Sequence, residues 1–236
     1  MSMMGLEERY RRITDEVARC CQMSGRNPDE VRIVAVSKTV DTDAVRRAAS
    51  AGIHDFGENR PDGLVEKSQA LPFESWHFIG NIQSRKIPDI VAHAALIHSL
   101  YQPHHADHIE SAAAALGKVQ EVLVEVNVLG EANKGGLPRD EVAALLEHCG
   151  GKPHLRVRGL MAMAPQGDLA LARSCFEGLA LVADAMRQRF AGTPLAQDLH
   201  DLSMGMSEDW QEAVVAGATI IRLGRVVFDE GYRLGG

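Results

Sequence analysis

The stretch VRIVAVSKTVDTDAVRRAASAGIHDFG (31–57) decides the fold. It opens on VRIVAVS (31–37), a nearly unbroken β-branched run of the kind that suits a strand covered on both faces of a parallel sheet. The segment 41–51 then reads as a helix closed by Gly52. IHDFG (53–57) is a second short strand. Strand, helix and strand in close succession make a parallel crossover unit, which is right-handed.

The same unit repeats along the rest of the chain. Further strands are expected at WHFIG (76–80), ALIHSL (95–100), VQEVLVEVN (119–127), LRVRGLMA (155–162), DLSMGM (201–206) and ATIIRLG (218–224). Pro138 suits the first position of a helix reaching about Cys149. A long helix is expected over 171–190, with Cys175, Phe176, Leu179, Val182, Ala183 and Met186 on its apolar side. At the N-terminus, Leu6, Tyr10, Ile13, Val17 and Cys20 recur at helical spacing. Eight strands alternating with helices close most economically into a single (β/α)8 barrel, one domain over 1–236. The twelve residues after Gly224 are too few for another unit, so the N-terminal helix is expected to fill the gap in the outer ring. An open doubly wound sheet is the alternative.

Composition narrows the function classes. A chain of 236 residues, 45% of them hydrophobic, can bury a core without a disulfide or metal staple. The 32 acidic against 25 basic residues, net charge −7, argue against a dedicated nucleic-acid binder and leave a local basic pocket open. No apolar run approaches the ~20 residues of a membrane helix. MSMMGLEERYRRIT (1–14) lacks the apolar core of a secretory signal. Cys20, Cys21, Cys149 and Cys175 have no zinc-finger spacing. A soluble cytoplasmic protein is expected.

In such a barrel, functional residues sit at the C-terminal ends of the strands. That rule selects Lys38; Glu58 and Asn59; Lys134; Met161; the loop 203–207; and Arg222, Gly224 and Arg225. Lys38, held at a strand end over a partly dry cavity, would lose solvation and become a nucleophile for aldehydes. A solvated lysine is the competing reading. Ser207 suits an N-cap for a helix running to Val215, and with Gly224 it could frame a phosphate between the last two loops. An ordinary cap and turn is the alternative there. Arg222, inside an apolar run, needs a partner: either an interior carboxylate such as Glu125 or a ligand atom. His104 and His108 have helical metal-pair spacing without a third ligand and read as surface histidines. Lys67 and Lys118 also read as surface residues.

Six ordered motifs add a resemblance. AVSK (35–38), FGEN (56–59), WHFIGNIQSRK (76–86), RGLMAM (158–163), LSMGMSEDW (202–210) and IRLG (221–224) together resemble the pyridoxal phosphate homeostasis proteins, single-domain relatives of the alanine racemase N-terminal barrel. The resemblance implies a fold-type III barrel that binds pyridoxal 5'-phosphate (PLP) as a Schiff base on Lys38. It places Asn59 near the cofactor ring, Arg222 at the pyridine nitrogen, and Ser207, Gly224 and the following Arg225 at the phosphate. Arg225 replaces a small hydroxyl residue usual in that family. GENR (57–60), Asn81 and KGG (134–136) also depart from its pattern. The implied role is PLP homeostasis: buffering the cofactor, or carrying it to apo PLP-dependent enzymes.

An amino-acid racemase is the alternative. A protonated arginine at the pyridine nitrogen keeps that nitrogen unprotonated and weakens the electron sink. Racemases of this kind share the arginine but add a second domain and a partner subunit's tyrosine. Here Tyr10, Tyr101 and Tyr232 stand in no matching motif. A monomer is the simplest assembly expected. A barrel that binds some other phosphorylated ligand without a Schiff base is the third reading.

Overall fold

The computed structural model describes residues 5–131 and 135–232. Its eight strands are β1 (Arg32–Val36), β2 (Asp55–Glu58), β3 (Ser75–Phe78), β4 (Leu96–Leu100), β5 (Gln120–Glu125), β6 (Leu155–Met161), β7 (Asp201–Ser203) and β8 (Ile220–Leu223). They form a closed barrel in chain order. Closure is direct: β1 pairs in parallel with β2, Val36 facing Gly57, and with β8, Val34 facing Arg222. An open doubly wound sheet would leave two edges, so that alternative is excluded.

The outer ring comprises α1 (Leu6–Met23), α2 (Thr42–Ser50), α3 (Pro61–Ala70), α4 (Ile87–His93), α5 (Pro103–Ala115), α6 (Val142–Gly150), α7 (Leu169–Arg189), α8 (Pro194–Asp198), α9 (Trp210–Val215) and α10 (Arg225–Phe228). Local chemistry sets several starts. Asp41 accepts from the Ala44 N–H, and Asp168 accepts from the N–H groups of Ala170 and Leu171. Prolines open α3, α5 and α8, where a missing N–H costs nothing. The N-terminal helix packs on α2, α9 and α10, in the position expected for it. Its end is pinned by Arg26, which donates to the carbonyls of Val214 and Ala218 at 2.8 and 3.0 Å.

Two expected boundaries move. Pro138 is not the first residue of α6. Its ψ of 148° is extended, because the preceding Leu137 pairs with the backbone of Glu125 and Asn127; a short 3-10 turn precedes Val142. The strand expected over 201–206 stops at Ser203. Gly205 has φ +91°, and a Cβ there would stand 2.6 Å from that of Ala213, so the chain turns out of the sheet where only glycine fits.

Side chains alternate across each strand. One set, including Ile33, Phe56, Ile97, Val122 and Ile221, packs with the helices into the main apolar core. The other set meets inside the barrel, where Val34, Leu96, Leu123, Met161 and Ile220, from five strands, form a separate cluster. All four cysteines are free and buried. Among the described residues, no helix is long and apolar enough to cross a membrane.

Candidate functional site

The residues selected from the sequence gather on one side of the barrel mouth. Lys38 and Asn59 follow β1 and β2; Ser207 and Gly224 follow β7 and β8; and these four strands are consecutive neighbours. Lys134 lies outside the described residues.

Lys38 stands two residues beyond β1 and is exposed, so the partly dry setting expected for its amine is not found. Among the described residues it makes no hydrogen bond or ion pair. Strand alternation separates its two expected neighbours on β2. Phe56 faces the helices, so Glu58 does too, and Asn59 takes the inward phase. Glu58 is therefore no mouth residue. It is 2% exposed, and its Oε1 lies 2.5 Å from Lys67 Nζ and 3.2 Å from the Ser37 hydroxyl. Lys67 also donates to the Ser37 carbonyl at 2.7 Å. Lys67, expected at the surface, is thus a buried partner from α3, and Lys118 is half-buried, donating to the carbonyls of Val91 and Ala94. The knot of Ser37, Glu58 and Lys67 ties β1 to β2 directly beneath Lys38.

Asn59 is the open acceptor at the mouth. Its Oδ1 is buried with no hydrogen-bond partner, while its N–H donates to Glu58 Oε2 at 3.0 Å. A buried, unpaired carbonyl of this kind is costly unless something else satisfies it. Gly80 presses on its backbone: a Cβ on Gly80 would fall 2.0 Å from the Asn59 carbonyl oxygen.

Arg222 points into the barrel and is 4% exposed. The expected direct pair with Glu125 is not what holds it. Its guanidinium donates to Ser203 Oγ at 2.5 Å and to the Ala162 carbonyl at 3.1 Å, and Glu125 and Asp209 act only as nearby charges. Burial pushes Arg222 down to about 10, against the pull of these carboxylates, so it remains cationic at neutral pH. Burial raises the Glu125 carboxyl, and Arg222 opposes that rise.

Ser207 does not cap a helix. It lies in the turn before α9, whose N-cap is Asp209, and Asp209 Oδ1 accepts from the Met206 N–H at 2.6 Å. Ser207 instead joins the last two loops. Its hydroxyl accepts from the Val226 N–H at 3.4 Å and its carbonyl accepts from the Tyr232 hydroxyl at 2.6 Å. Gly224 opens α10 beside the end of β1; a Cβ on it would meet only ordinary contact, 3.6 Å from the Val36 carbonyl, so internal packing does not demand a glycine there. The Arg225 side chain is exposed and turns to Glu208 at 2.5 Å and to the Tyr232 ring. Its guanidinium is therefore engaged within the protein.

Sequence reasoning missed the polar residues inside the barrel, His77, His98 and Asp55. The available signal was a histidine at an inward position of each of two apolar runs, WHFIG and ALIHSL. His104 and His108 are both exposed, as expected.

A closed parallel barrel with an inward arginine on β8 and a lysine after β1 defines a class, and comparison places the chain in it. Residues 10–229 match the family model described as alanine racemase, N-terminal domain. The pyridoxal phosphate homeostasis protein of Pseudomonas aeruginosa is 36% identical over 230 residues, covering 96% of each chain. That of Deinococcus radiodurans is 41% identical over 208 residues, covering 87% of this chain and 92% of the relative. The solved structure of PipY from Synechococcus elongatus with PLP bound is 32% identical, with a TM-score of 0.79, covering 90% of this chain and 99% of that one. The chain belongs to the pyridoxal phosphate homeostasis protein family, within the wider alanine racemase N-terminal domain family.

Proposed function

We propose that this protein binds pyridoxal 5'-phosphate at the barrel mouth and serves intracellular PLP homeostasis as a buffer and carrier rather than as a catalyst. The observation that carries the reading is the pair of uncommitted groups at the mouth: the Lys38 amine and the buried Oδ1 of Asn59. The PLP-bound structure of a relative that nearly covers this chain supports it. When bound, the cofactor supplies an aldehyde and an electron-accepting aromatic ring.

Lys38 provides the amine that condenses with the aldehyde and releases water. Asn59 offers its unpaired oxygen beside the ring. Arg222, cationic and donor-only, meets the ring nitrogen and keeps it unprotonated, which suits holding the cofactor better than carbanion chemistry. Ser207, Gly224 and Arg225 receive the phosphate, Arg225 through its backbone N–H because its side chain is engaged by Glu208. An exposed Lys38 also suits exchange with incoming amines or with apo PLP-dependent enzymes. The protein acts in the cytoplasm, as a monomer.

Racemase-type activity is the second reading. Tyr101 favours it, standing after β4 beside Gly135 and near Glu125, whereas the Tyr232 hydroxyl is committed to Ser207. A proton-transfer test with L-alanine in deuterated water separates the two: incorporation of deuterium at Cα means turnover. The primary test is the visible spectrum with added PLP, then borohydride reduction and peptide mapping. The label is expected on Lys38 and lost in Lys38→Ala; a label on other lysines overturns the assignment. Retained phosphate binding without any label in the native chain points to a different phosphorylated ligand. Carrier action requires that loaded protein reactivate an apo enzyme faster than free PLP does under the same PLP scavenger.

A further inference from the structure

Four hydrogen bonds run unbroken through the barrel interior. Arg222 Nη1 lies 2.5 Å from Ser203 Oγ, and Ser203 Oγ lies 2.8 Å from His98 Nδ1. His98 Nε2 lies 2.8 Å from His77 Nδ1, and His77 Nε2 lies 3.0 Å from Asp55 Oδ1. Ser203, His98 and His77 are wholly buried, and only Asp55, on the first residue of β2, is partly exposed. The chain starts beneath the mouth and ends at the opposite end of the barrel.

Donor and acceptor inventory sets its direction. A guanidinium only donates, so Ser203 Oγ accepts from Arg222. Among the described residues, the hydroxyl's other neighbour within hydrogen-bond distance is His98 Nδ1, and a buried hydroxyl proton needs an acceptor. Ser203 therefore donates to His98 Nδ1, and the one proton of a neutral His98 sits on Nε2. Burial, together with the charges of Arg222 and Arg32, holds His98 well below the ordinary histidine value, which keeps it neutral. His98 Nε2–H then donates to His77 Nδ1, and His77 Nε2–H donates to Asp55. Burial raises the Asp55 carboxyl, but the His77 hydrogen bond and the Arg32 charge oppose it, and the net effect is a lowered value that keeps the acceptor ionised. Each of the four bonds has one donor and one acceptor.

We propose that Ser203, His98, His77 and Asp55 are positioning residues for Arg222: a one-way hydrogen-bond chain that anchors the guanidinium, leaving its other N–H groups for a ligand's ring nitrogen. A carboxylate set directly on Arg222 would occupy the donors the ligand needs. Successive bonds polarise one another, which strengthens the anchor, while the carboxylates whose charges act on Arg222 are Glu125 and Asp209. The role toward a ligand rests on the PLP reading above; the direction of the chain does not.

The test has two arms. Proton-coupled nitrogen NMR of 15N-histidine-labelled protein without added ligand is expected to show both His77 and His98 protonated on Nε2 and bare on Nδ1 at neutral pH. Either ring protonated on Nδ1 overturns the chain. In the second arm, Ser203→Ala and the remote Asp55→Asn are titrated with PLP and followed by the visible band of the bound cofactor. Ser203→Ala is expected to weaken retention roughly tenfold, Asp55→Asn by a smaller factor, and Ser203→Thr to restore it. Circular dichroism confirms the fold of each variant. If native protein retains PLP and both variants match it in affinity and band position, the positioning role is overturned. If native protein takes up no PLP, the cofactor reading falls and the role toward a ligand falls with it, while the tautomers still decide the chain.

Discussion

The same eight strands send two sets of side chains in opposite directions, and the two sets hold the protein together by different means. Outward, Ile33, Phe56, Ile97, Val122 and Ile221 merge with the helices into one apolar layer. Inward, a small apolar cluster shares the lumen with Asp55, His77, His98, Ser203, Glu125 and Arg222. The outer layer is stabilised by area, so its losses scale with the volume removed. The inner set depends on matched donors and acceptors, so its losses scale with how many buried groups are left unpaired. The proposed site lies where the second rule applies, because a matched polar interior can present a charge at a fixed place without exposing it to water.

Substitutions can break or sharpen this contrast. The largest effect belongs to the outer layer: Phe56→Ala removes a fully buried ring that stacks 5.4 Å from Trp76. Chemical denaturation is expected to show a loss of about 3–5 kcal/mol. A loss below about 1 kcal/mol would mean that this layer collapses around the gap and is not tightly packed.

Next comes the polar knot of Ser37, Glu58 and Lys67 on the outer face. Lys67→Met leaves Glu58 buried without its cation and is expected to cost about 3 kcal/mol. The pair Glu58→Gln with Lys67→Met should recover part of that loss. If the double variant is worse than the single, the knot behaves as two independent contacts and the unpaired-charge argument fails. A gentler probe of the apolar rule is Ile33→Val, expected to cost about 1 kcal/mol in the same assay.

The finest test reads a slope rather than a size. Burial raises Glu125 above its ordinary 4.5, so the folded lumen favours the protonated form more than the unfolded chain does. Its contribution to stability is complete below the ordinary carboxyl range and is lost as pH rises through the raised value. Glu125→Gln should flatten the fall of unfolding free energy over that window. Parallel slopes for the two proteins would show that the lumen is not dry at this position.

Much of this architecture could be read in advance for a physical reason. Branched runs such as 31–37 and 218–224 can form little other than buried strands, and helices of ordinary length between them force parallel pairing. Ends were less legible. The strand at 201 looks three residues longer than it is, because the turn depends on Gly205 meeting Ala213, a contact invisible in one dimension. Ser207 looks like a cap for the same reason: the helix begins only at Trp210, once Asp209 has closed the turn.

The site divides along the same line. Residue type and position at strand ends single out Lys38, Asn59, Arg222 and Gly224, since those ends converge on one mouth whatever the packing. Orientation and partnership belong to the folded chain. Alternation along β2 turns Glu58 to the helices and leaves Asn59 facing inward, and α3 delivers Lys67 to a pocket that its composition would never suggest. By itself the sequence determined the order and count of the strands, because hydrophobic pattern and chain connectivity are local properties; it made closure only the most economical arrangement, and the β1–β8 pairing decided it. Only the tertiary structure decided that Asp55 and Arg222, far apart in the chain, are joined through two histidines and a serine. Hydrogen bonds of that kind exist only where barrel closure brings the inward faces of separate strands within 3 Å or so of one another.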